Sequence, residues 1–191
     1  MKNIEEYCPT NQKEWREWLE LNHQSKEAVW LIFYKKKSSK YNLSWSDAVD
    51  EALCFGWIDS TKKTIDQERY KQYFTKRKPK SIWSKINKDK VDNLTSKGLI
   101  KEAGLKAITI AKQNGSWSTI DDVEALIMPD DLKKEFDKRS GAFEYYQSLS
   151  KSSKKILLSW IVLAKRPETK LKRIIEIAEN ASKQCKPKQF R

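Results

Sequence analysis

Apolar positions along the chain follow two rhythms, one helical and one extended. Trp15, Trp18 and Leu19 share the spacing of a single helical face, and Thr10 followed by Asn11 can cap a helix that runs to about residue 22. Ala28–Tyr34, AVWLIFY, is continuously apolar, β-branched and aromatic, which predicts a central strand covered on both faces. Residues 35–42 are polar and predict a loop. Ser44 with Asp47 three positions on resembles a capping box, opening a helix whose stripe is Trp45, Ala48, Val49, Ala52 and Leu53. Gly56 ends it. Residues 57–63 and 69–75 then predict two strands joined by a short turn at Asp66 and Gln67.

Pro79 stops a central strand from continuing. Ser81 is placed to cap a helix carrying Ile82, Ile86 and Leu94 as far as Gly98. A further helix over about 101–113 ends at Asn114-Gly115. Beyond Gly115-Ser116-Trp117-Ser118 every segment has helical spacing: Leu132 with Phe136, Phe143 with Tyr146 and Leu149, then Leu157, Trp160, Ile161 and Ala164. Pro167 breaks that run and can start the next helix, in which Leu171, Ile174, Ile175 and Ala178 are expected to face inward. Residues 185–191 are expected to fray. The expectation is an α+β protein: residues 1–115 form a domain with a small, mainly antiparallel sheet and helices, and residues 116–191 form an all-helical domain.

Composition narrows the class. With 191 residues the chain is long enough for one compact domain or two small ones. A charged share of 34% is high, but 21 aromatic residues supply enough buried area to exclude disorder as the main state. No apolar run reaches the roughly 20 residues of a membrane span. The opening Met1-Lys2-Asn3-Ile4-Glu5-Glu6 lacks the basic and apolar blocks of a secretory signal, and Cys8, Cys54 and Cys185 are too few and scattered for a disulfide framework. A cytoplasmic setting is expected. The net charge of +13 is unevenly placed: residues 60–101 hold thirteen bases against four acids, and residues 121–147 hold eight acids against four bases. That asymmetry points either to an anionic partner or to an internal match between the two segments.

Four places could carry chemistry. Helix turning into strand at Gly56 sets Trp57 and Asp59 on one face, with Ile58 and Ser60 on the other. Asp59 is then either a ligand-facing acid, an acid or base of a reaction, or a structural carboxylate bonded to backbone or to Lys62 or Arg69. The stretch from Arg69 and Tyr70 to Trp83 interleaves aromatics with Arg77, Lys78 and other bases, as a nucleic-acid surface does. The same pattern arises when aromatics enter a core and bases stay solvated. Lys165, Arg166, Lys170 and Arg173 surround the bend at Pro167, either neutralising the acidic segment or forming an anion notch. Cys54, at a helix C-terminus, is expected to be a buried thiol, and His23 a capping or surface residue. One histidine supplies no metal site, and no metal or cofactor is expected.

Several strings are long and uncommon. In the N-terminal part they are Glu51-Ala-Leu-Cys-Phe-Gly-Trp-Ile-Asp-Ser60, Asp66, Arg69-Tyr70, Phe74-Thr75, Arg77-Lys78-Pro79, Ser81, Trp83-Ser84 and Asn87. In the C-terminal part they are Leu149-Ser150, Trp160-Ile161, Ala164-Lys165-Arg166, Glu168-Thr169 and Arg173-Ile174. Over most of its length the chain thereby resembles the bacterial YdeI/OmpD-associated, or bacteriocin-protection, family. It departs from that pattern at Lys76, where the family typically has proline.

The resemblance implies a role in protection from bacteriocins, antimicrobial peptides or envelope stress, and implies no cofactor, substrate or catalytic residue. The leading expectation is a non-enzymatic cytoplasmic protein that binds another protein or an anionic ligand. Its matched residues Trp57, Asp59, Ser60, Arg69, Tyr70, Arg77, Lys78, Trp83 and Asn87 are the candidate ligand-facing surface. A nucleic-acid-binding module using residues 69–83 is the alternative. An enzyme with Asp59 as acid or base, helped by Tyr70 or Arg77, is the second.

Overall fold

A computed structural model describes residues 4–191; Met1–Asn3, part of the opening hexapeptide read above, lie outside the described residues. The protein is α+β, with a four-stranded mixed sheet in its N-terminal half and helices alone in its C-terminal region. Two compact units divide the chain, residues 1–117 and 118–191.

In the first unit the elements are β1 (Glu6–Tyr7), α1 (Gln12–Asn22), β2 (Ala28–Tyr34), α2 (Trp45–Cys54), β3 (Trp57–Thr64), β4 (Arg69–Lys76), α3 (Lys85–Ser96) and α4 (Glu102–Gln113). The strand order is β1-β2-β4-β3, with β1 parallel to β2 and the other pairs antiparallel. Asn11 caps α1 by accepting from the Glu14 amide, and Ser44 caps α2 by accepting from the Asp47 amide, each at 3.0 Å. Trp15, Trp18 and Leu19 are buried as their spacing predicts. Asp66 ties the turn between β3 and β4, its Oδ1 accepting from the amides of Glu68 and Arg69.

Four expectations in this unit need correction, the first being Trp45, which is expected on the buried stripe of α2 and is exposed. The run 28–34 is covered on one face only: Val29, Leu31 and Phe33 are buried, while the residues between them are half-exposed. Its second face stays apolar because Trp30 packs against Tyr73 at 4.8 Å and lies under the Lys63 and Lys71 ammonium groups. Alternation along β3 fails after Asp59, because a register shift between Asp59 and Lys62 inserts a bulge around Ser60. The third helix is capped by Ser84 rather than Ser81, so Val91 and Leu94 face the core and Ile82 and Ile86 remain exposed. Trp83, the residue before that cap, takes the buried place instead.

The second unit comprises α5 (Asp121–Glu124), α6 (Asp130–Asp137), α7 (Ala142–Ser148), α8 (Lys151–Val162), α9 (Pro167–Ser182) and a 3-10 turn at Lys188–Phe190. Its long helix α9 packs against α6, α7 and α8. The buried face of α9 is Ile174, Ile177, Ala178 and Ala181, one step round from the expected stripe, and Leu171 is exposed. On α8 the buried set is Leu157, Leu158 and Ile161, with Trp160 only half-buried and Ala164 beyond the helix end. Phe143 is exposed while Tyr146 is buried. The tail is pinned rather than frayed: Phe190 meets Trp160 edge-on at 5.3 Å, and Arg191 donates to the Asn180 side chain.

Candidate anion site

The site is built where α2 turns into β3. Phe55 caps α2, and Gly56 follows with a φ of +72°, a left-handed conformation that glycine adopts without strain. A Cβ at Gly56 would stand 2.8 Å from the Ala103 carbonyl oxygen, so the bare glycine lets α4 come close. Gly104 does the same from the other side, since a Cβ there would lie 2.4 Å from the Cys54 carbonyl oxygen. The Gly56 carbonyl accepts from the Arg77 amide at 2.9 Å, which fixes the exit of β4 beside the same turn.

Between these pieces lies a hollow of about 400 Å³. Phe55, Ala103, Ala107 and Ile110 give it an apolar wall, and Lys76, Arg77, Lys78 and Lys106 bring positive charge; none of its lining residues is an acid. Lys76 is matched by Glu27 at 2.7 Å. Lys78 and Lys106 are exposed and carry no ion pair among the described residues. A neighbouring hollow shares Lys106 and contains Glu20, which Lys101 already holds at 3.1 Å.

Arg77 is the anomaly of the site. Its guanidinium carbon lies 3.5 Å from the centre of the Trp83 ring, and Nη1 donates to the Ile82 carbonyl at 3.3 Å. Its Nε is buried and has no hydrogen-bond partner among the described residues. Burial pulls its pKa down to about 10, and the nearby charge of Asp59 offsets this only in part. Trp83 is 2% exposed and packs on Trp117 at 4.9 Å, so the platform under the cation is fixed.

The sequence-predicted residues are thus divided. Arg77, Lys78 and Trp83 meet at the hollow. Trp57 is fully buried against Trp18, its Nε1 donating to the His23 carbonyl. Asp59 accepts from Trp45 Nε1 at 2.9 Å and from Gln72 Nε2 at 2.8 Å, outside the hollow's lining. Ser60 is exposed at the bulge, with its carbonyl taken by Gln72. Arg69 pairs with Asp66 at the hairpin turn, and Tyr70 stacks on Phe33 with the Lys62 ammonium 4.1 Å above its ring. The Asn87 amide is used by the Ser84 cap. His23 closes α1, its Nδ1 2.8 Å from the Leu19 carbonyl, and also lines the hollow.

In the second unit, Lys165, Arg166 and Lys170 border a hollow that already contains Asp131. Arg173 turns away to donate to the Trp160 carbonyl and to cover its ring. Of the acids of the 121–147 segment, Asp131 lines that same hollow, Glu124 pairs with Lys155, and Glu135 pairs with Lys138 and Arg139. Cys54 is buried, and burial pushes its thiol up to about 11. Among the described residues, no group of three or more His, Cys, Asp or Glu could hold a metal, and no helix is long and apolar enough to cross a membrane.

Sequence reasoning missed Lys106 and the α4 wall. The available signal was the small-residue stripe Ala103, Gly104, Ala107 and Ala111, which only makes sense where a helix lies close to another backbone.

Comparison with known families follows the same division of the chain. Residues 7–107 match the model of a domain of unknown function, DUF8412. Residues 125–184 match the family described as bacteriocin-protection, YdeI or OmpD-associated. That second match is narrower than the resemblance over most of the chain, and the N-terminal strings fall within the first. Searches of the curated proteins and of the solved structures find no match. The chain therefore belongs to the family defined by the domain of unknown function DUF8412, and it carries a bacteriocin-protection, YdeI or OmpD-associated segment after that domain.

Proposed function

We propose that the protein is a non-enzymatic cytoplasmic binding protein whose first unit holds an anion at Arg77, and that its part in bacteriocin or envelope-stress protection runs through that binding. One observation carries the reading. A half-buried guanidinium has one long hydrogen bond, a buried Nε with no partner among the described residues, and no carboxylate in the lining of its hollow. Partial desolvation of this cation is offset only by that hydrogen bond, the indole face of Trp83 and the charge of Asp59 from outside the lining. An anion in the hollow restores the balance. Asp59 supports binding over catalysis, since two side-chain donors engage it outside the hollow and neither Arg69 nor Tyr70 stands beside the hollow.

Thermal melting with sodium salts of acetate, benzoate, sulfate and phosphate, at matched ionic strength, tests this. A ligand at about 100 times its Kd stabilises by roughly 2.7 kcal/mol, a rise of several degrees in Tm. The rise is expected with at least one anion and is expected to vanish in Arg77→Met. A rise that survives that substitution, or none with any anion, contradicts the reading.

A further inference from the structure

The hollow has more positive charge than a single carboxylate needs. Arg77, Lys78 and Lys106 have no ion-pair partner among the described residues, with Asp59 acting on Arg77 only from outside the lining, while Lys76 is neutralised by Glu27. A monoanion leaves two of those charges unmatched. A phosphate monoester carries about −1.5 to −2 at neutral pH and offers three acceptor oxygens to several donors at once. The rest of the lining includes Phe55, Ala103, Ala107 and Ile110, apolar side chains that suit an apolar substituent. The volume of about 400 Å³ is that of a small-molecule site and encloses one compact group rather than a strand.

We propose that the hollow takes a small phosphate monoester, with the phosphate between Arg77, Lys78 and Lys106 and a compact apolar group against Phe55 and α4. This rests on the anion-binding reading of the same site and goes further by naming the charge and shape of the ligand. Trp83 stands against the Arg77 guanidinium, so the ester approaches from the side away from the indole.

Calorimetric titration of the full chain with phenyl phosphate, inorganic phosphate, benzoate and a 5′-phosphorylated trinucleotide tests it. Phenyl phosphate is expected to bind at least tenfold more tightly than either inorganic phosphate or benzoate. Arg77→Met is expected to weaken it tenfold or more, with the fold verified by circular dichroism. Lys106→Gln, a change at an exposed position, is expected to weaken phenyl phosphate about threefold and benzoate less. Benzoate binding as tightly as phenyl phosphate and still depending on Arg77 overturns the phosphate assignment while leaving the anion reading in place. A trinucleotide tenfold tighter than phenyl phosphate overturns the small-ester assignment in favour of a nucleic-acid end. Binding of every probe unaffected by Arg77→Met removes both.

Discussion

Arg77 and Trp83 form a face-on stack, 3.5 Å from guanidinium carbon to ring centre, in which the indole is almost wholly buried. The indole shields the cation from water and gives it no counter-charge. On the proposed anion-binding reading the pair is a site rather than a structural contact, and its consequences for stability and binding can be separated.

Arg77→Met is expected to raise the unfolding free energy by about 1 kcal/mol without ligand, because a half-buried cation whose Nε has no partner among the described residues is exchanged for an apolar chain of similar length. The same change is expected to abolish anion-dependent stabilisation. Urea denaturation measures the first quantity. A loss above about 1 kcal/mol would assign Arg77 a structural role instead.

Gly104→Ala is expected to destabilise the first unit, against the ordinary gain of about 1 kcal/mol for alanine over glycine inside a helix. The added Cβ would press on the Cys54 carbonyl oxygen, which is backbone and cannot swing aside. A loss of about 2 kcal/mol or more in denaturant titration is expected; a gain contradicts the close approach of α4 to the end of α2.

Asp59→Ala is expected to cost about 1–3 kcal/mol, since the Gln72 amide loses a buried acceptor, and to leave anion affinity undiminished or raised, because a negative charge acting on Arg77 is removed. Calorimetry on this variant separates the binding reading from the enzyme reading. A large fall in affinity would return Asp59 to the site.

Tyr146 tests the second unit. Its hydroxyl is buried without a partner among the described residues, and burial raises its pKa to about 12. Its folded pKa exceeds the unfolded value of about 10, so its contribution is fully present below pH 10 and is lost as pH rises toward 12. Tyr146→Phe is expected to be neutral or stabilising by up to about 1 kcal/mol at pH 7 and to remove that alkaline loss, followed by denaturant midpoints across pH 9–12.

The α+β division and the caps at Asn11 and Ser44 were legible because capping chemistry and hydrophobic spacing are local. The covered face of α9 was misread by one step, since Leu171 and Ile177 are equally apolar and only packing against α6, α7 and α8 selects between them. Run 28–34 looked like a doubly covered strand because Trp30 and Tyr73 shield one another on the open face, a cross-strand pairing that one-dimensional periodicity does not contain. At the site, Arg77, Lys78 and Trp83 stood together in the sequence as a basic-aromatic string. Lys106 and Phe55 reach the same hollow only because Gly56 and Gly104 permit α4 to close on the turn.

The central claim is that an anion engages the Arg77 side chain. The most direct measurement is the side-chain Nε–H resonance of Arg77, assigned through Arg77→Met, in a ¹⁵N–¹H spectrum titrated with phenyl phosphate at constant ionic strength. The account predicts a saturable shift of that signal with the Arg166 and Arg173 signals unmoved. An Arg77 signal that stays fixed while the ligand is shown to bind elsewhere would contradict it.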